Sequence, residues 1–213
     1  MSASPIDSVA PAAAELDRPQ LLEAIHQGAA LPLTQAQLSG ADLSGLTLDD
    51  RDFSQANLAG AILAGAKLRR SGLRCNLRGA DLTGAMLSEA DLRNADGRGA
   101  NFVGAVCAQA SFAGAFLAGA ILSNADLSGV DLRGADLRGA TLVGCNLQRA
   151  DLSSANLAGA DLSRADLEEA ILYGTVLQGA NLTGANLLCA QIDRAHLDGA
   201  ILNGACLEGT SLG

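Results

Sequence analysis

Two histidines, His26 and His196, are the side chains of this chain best suited to proton transfer near neutral pH. Catalysis through such a base would also need a nucleophile and an orienting group held around it. Serine and aspartate recur throughout the sequence at regular spacing, so none of them stands out as such a partner. His196 itself takes an outward repeat position where aspartate or asparagine usually stands. We therefore predict no catalytic residues and no enzymatic activity.

The cysteines are the other candidates for chemistry, as metal ligands, nucleophiles or disulfides. Their number, five, is odd, their spacing is wide and no Cys-x-x-Cys pair occurs, which is typical of free thiols in a reducing compartment. The repeat places Cys75, Cys107 and Cys145 inward, and Cys189 and Cys206 outward on one face. A zinc site or a disulfide between the last two is the alternative to plain exposed thiols. We expect no metal and no cofactor.

Charge and hydropathy restrict the partners. The chain of 213 residues has a net charge of −9, which disfavours non-specific attraction to nucleic acid and to anionic membranes but leaves imitation of nucleic acid open. No apolar run approaches the roughly 18 residues of a membrane span. Residues 1–14 are rich in alanine, proline and serine, so we expect them to form a flexible tail. They lack the pattern of a secretory signal, and we expect the protein to be cytoplasmic.

The elements that position these side chains follow from a period of five. A leucine, or a residue that replaces it, recurs every five residues from Leu38 to Leu212, with alanine usually two residues before it and glycine often two residues after. Inward positions are thus alternately two and three residues apart. A step of two is the strand period, and a step of three leaves two outward residues in which the chain can turn. An α-helix is excluded, because five residues at about 100° each would spread the leucines around the helix.

Corners of about a right angle would close a coil after four units, or 20 residues, and successive coils would stack as parallel strands. The pattern Ala-(Asp/Asn)-Leu-x-Gly, as in Ala41-Asp42-Leu43-Ser44-Gly45, repeats from about Ala36 to Gly213 and resembles the pentapeptide-repeat family. The resemblance implies an all-β fold, a right-handed quadrilateral β-helix. Counting units predicts a solenoid of about nine coils over residues 36–213, preceded by a helix and lead-in over residues 15–35.

Departures from the repeat are few. Leu73 and Leu77 are four residues apart, so we expect a tightened corner there rather than a domain boundary. Phe53, Phe102 and Phe112 replace leucine, whereas Gly97 and Cys107 are smaller. We expect the core to be thinner at these two small residues.

The two ends of a solenoid expose core and strand edges. At the N-terminal end, Asp17 fits an N-cap with Gln20 three residues later, which predicts a short capping helix over residues 18–27 with Leu22 and Ile25 on one side. No such helix follows the last repeat. Its final layer predicts an end-to-end interface, through which two copies would form a homodimer, or alternatively a tolerated frayed end: Leu197, Leu202, Leu207 and Leu212.

Charged residues are distributed unevenly along the rod. Along the stacked columns we expect Asn101 to follow Asp81, Asn146 to follow Asp126 and Asn186 to follow Asp166, with only Asp131 and Asp151 stacked directly. Six arginines are expected to lie close together on adjoining faces; we call them the arginine band: Arg74, Arg78, Arg93, Arg98, Arg133 and Arg138. They would either bind an acidic partner or pair with the neighbouring aspartates, and the second interpretation is favoured.

These observations predict a bacterial, non-enzymatic rod that binds a protein partner, with no direct nucleic-acid binding. One alternative comes from the quinolone-resistance branch of the family, which resembles DNA in size and charge and binds type II topoisomerase. That branch is rich in phenylalanine at the leucine position and dimerises through a C-terminal helix, whereas this chain is rich in leucine and lacks such a helix. A second alternative is an accessory or effector protein of a bacterial secretion system.

Overall fold

The computed structural model describes residues 18–212, and within them it contains one helix and a stack of very short parallel strands. The tail predicted for residues 1–14, the N-cap Asp17 and the terminal Gly213 lie outside the described residues. Each strand is a single bridging residue, paired with the residue 20 positions further on, or 19 positions where the pair spans the short interval between Leu73 and Leu77. Four such ladders run side by side along the chain, which gives the solenoid four faces.

The faces are numbered by the outward residue that bridges successive coils. Face 1 consists of Gln37, Asn57, Asn76, Asp96, Phe116, Asp136, Asn156, Val176 and His196. Face 2 consists of Asp42, Ile62, Asp81, Asn101, Ile121, Thr141, Asp161, Asn181 and Ile201. Face 3 consists of Thr47, Lys67, Met86, Val106, Asp126, Asn146, Asp166, Asn186 and Cys206. Face 4 consists of Asp52, Gly72, Asp91, Ser111, Asp131, Asp151, Ile171 and Gln191.

Each corner between faces is a tight turn. The alanine amide donates to the leucine carbonyl three residues earlier, as from Ala120 to Leu117 at 3.0 Å. The third residue of this four-residue turn has a positive φ, 67° at Gly119, which is the backbone of a type II turn. At the corner between faces 1 and 2 this residue is glycine in every described coil, from Gly40 to Gly199. A polar or charged side chain often replaces it between faces 3 and 4, for example Arg149.

The core is a solid column of leucine and alanine. Three phenylalanines at leucine positions are completely buried, and Phe102 and Phe112 meet edge to face with ring centroids 5.9 Å apart. The expected thinning at Gly97 is wrong. A Cβ on Gly97 would lie 2.9 Å from Cδ2 of Leu117 and 3.8 Å from Cε2 of Phe102, so larger neighbours already fill this space. At its four leucine positions this coil therefore combines two small residues, Gly97 and Cys107, with two large ones, Phe102 and Phe112.

The interruption between Leu73 and Leu77 is a tightened corner, as predicted. The Cys75 amide donates to the Leu73 carbonyl at 2.8 Å, two residues away, which makes a three-residue turn in place of the usual four-residue one. Asn57 consequently pairs with Asn76, a spacing of 19 residues, and the ladders continue on both sides. The shortened unit shifts the register of every later residue by one position without breaking the stack.

The helix α1 spans Arg18–His26 and packs on the first coils. The residues that it buries are Leu21 and Ile25, whereas Leu22 is only partly buried, so the predicted pair of Leu22 and Ile25 is half wrong. Residues four apart lie above one another on a helix, which explains the observed pair. The helix ends one residue earlier than predicted. Amides of Gly28 and Ala29 bond back to carbonyls of its last turn at 2.9 Å, a Schellman motif.

Two arginines join this N-terminal segment to the solenoid. Nη2 of Arg51 donates to the carbonyls of Ala29 and Leu31 at 2.9 and 2.8 Å. The Arg18 guanidinium donates to the Ser39 carbonyl. These contacts fix the lead-in against the first coils, because guanidinium donors satisfy carbonyls that no strand reaches.

Candidate functional site

The aspartates and asparagines of the four faces have a structural task. At every one of these positions in residues 18–212, the side-chain oxygen accepts a hydrogen bond from the backbone amide two residues later. In Asp81 this bond comes from Thr83 at 3.0 Å. Such bonds hold the turn that follows the strand. Sequence reasoning missed this role, although the constant offset before each leucine was its signal.

The predicted order of charges along the columns is confirmed. Asp126 bridges to Asn146 and Asp166 to Asn186, and each asparagine amide donates to the aspartate below it, at 3.1 and 2.9 Å. The alternation thus replaces a repulsion between like charges with a hydrogen bond. Asp131 and Asp151 do stack directly. Arg133 contacts both, at 2.8 and 3.8 Å, and neutralises the repulsion.

Four arginines of the band lie in the turns and bind the bridging aspartate two residues earlier. Each guanidinium donates through Nε and Nη2 to both carboxylate oxygens, as from Arg138 to Asp136 at 2.8 and 2.7 Å. Arg93, Arg98 and Arg133 make the same pair with Asp91, Asp96 and Asp131. Bidentate pairs of this kind fix the orientation of the guanidinium.

The remaining two arginines of the band, Arg74 and Arg78, lie beside the tightened corner and share carboxylates that are already paired. Arg74 lies 3.4 Å from Asp91, and Arg78 lies 3.8 Å from Asp96.

Residues 67–150 carry ten basic and seven acidic side chains, a net charge of +3, whereas residues 151–212 carry two basic and eight acidic ones, a net charge of −6. The middle of the rod is therefore basic in a chain that is acidic overall.

These pairs predict the acid sensitivity of the solenoid. Hydrogen bonds from Arg93 hold the pKa of Asp91 below its ordinary value, and Arg98, Arg133 and Arg138 lower the pKa of Asp96, Asp131 and Asp136 likewise. Since the folded pKa is depressed, the stabilisation is complete above the unfolded value of about 3.9 and is lost as the pH falls through the folded pKa.

We expect the thermal midpoint, followed by circular dichroism, to be nearly constant from about pH 5 to 7 and to fall below about pH 4. Replacing the four aspartates with asparagine should flatten this fall. An equally steep loss in that variant would show that other carboxylates control the acid sensitivity.

Exposed apolar side chains are the surface feature that the sequence analysis missed. Phe116 on face 1 is 48% exposed, and the Arg98 guanidinium carbon lies 6.0 Å from its ring centroid. Ile121, on face 2 of the same coil, is 42% exposed. Tyr173 is similarly exposed under Arg194, at 5.5 Å, in the acidic part of the rod. For Phe116 and Ile121 the sequence signal was a large apolar residue at a position usually occupied by aspartate or asparagine.

The structure brings neither histidine into a catalytic arrangement. Nδ1 of His26 bonds to the Leu22 carbonyl at 2.7 Å, and His196 lies exposed on face 1. Among residues 18–212, no group of three or more histidine, cysteine, aspartate or glutamate side chains is placed to hold a metal ion. One surface depression, of about 300 Å³, is lined by Glu89, Arg93, Ser111, Arg133 and their neighbours, all of them in the ladders and corners already described.

The cysteines divide as the repeat predicts. Cys75, Cys107 and Cys145 are buried, and burial raises the pKa of Cys75 and Cys145 to about 12. Cys189 and Cys206 are free and exposed. Since only accessible thiolates react quickly, we expect about two fast equivalents in a native thiol titration and five after denaturation. A third fast-reacting thiol would contradict the closed core, and Cys75, at the tightened corner, would be the first residue to examine.

The last leucine layer that the structure describes is open to solvent. Leu197, Leu202 and Leu207 are partly buried, and Leu212 is 49% exposed. Their use as an interface between copies stays a prediction. Among residues 18–212, no helix has the length and hydropathy needed to cross a bilayer.

Comparison with known proteins gives consistent results. A family model described as pentapeptide repeats matches residues 33–213 in overlapping segments. HetL, a pentapeptide-repeat protein involved in heterocyst differentiation regulation in Nostoc sp. strain PCC 7120, is 30% identical, with 92% of this chain and 97% of HetL covered and a TM-score of 0.44. A trypsin-treated form of QnrB1, a plasmid-mediated fluoroquinolone resistance protein, is 21% identical, with 84% and 86% covered and a TM-score of 0.53. No curated protein matches significantly in sequence.

Proposed function

Because this chain belongs to the pentapeptide-repeat family, and so forms a right-handed β-helix solenoid, we propose that it is a non-enzymatic rod that binds proteins through its outer faces. The observation that supports this most directly is the hydrogen bond that every face aspartate and asparagine accepts from a backbone amide of its own turn. The side-chain oxygens of these residues already accept hydrogen bonds from backbone amides. The rod presents rigid, repeating faces, and such surfaces suit docking better than catalysis.

The proposal is tested by purifying the tagged protein, after mild crosslinking, from cells that make it. We expect a discrete protein partner in near-stoichiometric amount, absent when the tag alone is used. Recovery of the rod without any protein partner, together with turnover of a small molecule by the purified chain, would contradict the proposal.

We further propose that the rod has nine coils over residues 36–213 and that α1, with its lead-in, caps the first coil. Ladders that extend from Gln37 to Cys206 support the number of coils. The inclusion of Leu21 and Ile25 in the same buried cluster as the solenoid leucines supports the cap. The proposed homodimer through the last leucine layer is tested by light scattering, where a strict monomer at tens of micromolar would count against it.

Modulation of type II topoisomerase as a DNA mimic is the second proposal. The likeness to QnrB1, at 21% identity, shows the fold alone. An acidic surface over residues 151–212 favours the proposal, whereas the arginine band interrupts any continuous likeness to DNA. A gyrase supercoiling assay that shows neither inhibition nor protection at micromolar protein would contradict the topoisomerase proposal. The secretion-system alternative stays a prediction, because neither the fold nor the surface separates it from other docking roles.

A further inference from the structure

An apolar strip crosses one corner of the rod in its basic middle. Phe116 on face 1 and Ile121 on face 2 are exposed to 48% and 42%, and only Ala118 and Gly119 separate them among the outward residues of that coil. A Cβ on Gly119 would meet nothing within 4 Å, so the corner carries no side chain that would cover the strip. Exposed apolar residues that adjoin one another in this way are typical of the centre of a binding site.

Two fixed arginines border this strip. Arg98 lies one coil before Ala118 and Arg138 one coil after it, in the same corner column. Both are exposed, and Asp96 and Asp136 hold them through Nε and Nη2, which leaves Nη1 out of these bonds. An anchored guanidinium loses less conformational entropy on binding than a free one. The aromatic ring and the two arginines are also the residue types most frequent at binding hot spots.

We propose that this patch, which consists of Phe116, Ala118, Ile121, Arg98 and Arg138, docks an acidic segment of a partner protein that places an apolar side chain against Phe116. The inference rests on the proposed protein-binding role and names the site and the chemistry of the partner. Its main support is charge complementarity, because the patch lies in the segment of net charge +3 while the segment that follows it carries −6. The partner's acidic segment is attracted to residues 67–150 and repelled by residues 151–212, so the charges direct it to the middle of the rod.

Other occupants fit less well. A nucleic acid would extend along the rod beyond this patch into residues 151–212, whose net charge of −6 opposes a polyanion. A second copy docked side by side on this patch would bring two bodies of charge −9 together along their length, unlike the end-to-end pairing proposed above. A short acidic and apolar segment avoids both difficulties, since it needs contact only with the basic middle.

The test is a selection of random dodecapeptides, displayed on phage, against the immobilised full-length protein. We expect enrichment of acidic sequences that contain an aromatic or large aliphatic residue. A synthetic peptide of the enriched sequence should bind about tenfold more weakly to the Phe116→Ala variant and several-fold more weakly to the Arg98→Gln/Arg138→Gln variant. Its affinity should also fall with added salt.

Tyr173→Ala is the matched control, because Tyr173 is an aromatic of similar exposure that also lies under an arginine, in the acidic part of the rod. It should leave the affinity unchanged. Absence of enrichment, enrichment of basic or neutral peptides, or equal binding to Phe116→Ala would overturn the proposal. So would binding of an oligothymidine 12-mer, or self-association in light scattering, that is lost in Phe116→Ala. Cellular partners that bind Phe116→Ala unchanged would remove this site while leaving the protein-binding role intact.

Discussion

Replacing Gly97 with leucine, the residue that the repeat prescribes, should lower the free energy of unfolding by about 3 kcal/mol, at the upper end of the range for overpacked cores. Even a Cβ at this position would lie 2.9 Å from Cδ2 of Leu117, and the rest of the leucine would approach the Phe102 ring. Restoring the consensus should thus destabilise the protein. Equilibrium urea unfolding, followed by circular dichroism, measures the change.

A second substitution separates overpacking from backbone effects. Gly97→Leu combined with Phe102→Leu should be more stable than the sum of the two single changes predicts, by about 1 kcal/mol or more, because the smaller side chain makes room for the new one. Gly99→Asn is the control in the same coil. It points outward into open space at a positive φ, so it should cost less than about 1 kcal/mol. Strict additivity of Gly97→Leu and Phe102→Leu would show that this coil is not packed as a unit.

Removing the apolar contacts of α1 should have the second large effect. Leu21 and Ile25 are each only 4% exposed, and a truncation of a buried aliphatic residue to alanine costs about 2 kcal/mol or more. Leu21→Ala/Ile25→Ala should therefore lower the free energy of unfolding by about 4 kcal/mol. Because each coil of a solenoid contacts only its neighbours, the loss should be concentrated at the N-terminal end.

Hydrogen exchange with mass spectrometry locates this effect. Amides of the first coils, residues 35–60, should lose protection in Leu21→Ala/Ile25→Ala while those of residues 140–180 keep it. Glu23→Ala, an exposed position on the same helix, should change neither stability nor exchange. If the double variant behaved like Glu23→Ala, α1 would not be a cap.

The fold was predictable because one period specifies it. In a repeat unit of only five residues, the spacing of inward positions, the turn glycines and the column of leucines are together consistent with one architecture. The sequence also located the tightened corner at Leu73, because a missing residue is visible as a change of spacing. It did not reveal how Gly97 is accommodated, because the compensating bulk of Phe102 and Leu117 is contributed by other faces and coils.

The candidate site was predictable only in part. Reading outward positions located the arginine band and its neighbouring aspartates, and the structure shows bidentate pairs there. Phe116 was not predicted, because charge alone pointed to this surface and Phe116 is an apolar residue among the charged ones. Whether Leu21 or Leu22 faces the first coil could not be decided from a nine-residue helix, since both are apolar and its orientation is set by docking.

The protein-docking role is tested most directly by photo-crosslinking in cells that make the protein. Benzoylphenylalanine would be placed, one position at a time, on each face of a single coil: Val106, Ser111, Phe116 and Ile121. Ultraviolet-dependent adducts with another protein are predicted from at least one face, and most strongly from Phe116, with none in unirradiated cells. If all four faces gave no protein adduct although each variant was folded and produced normally, the role of this rod as a docking surface would be contradicted.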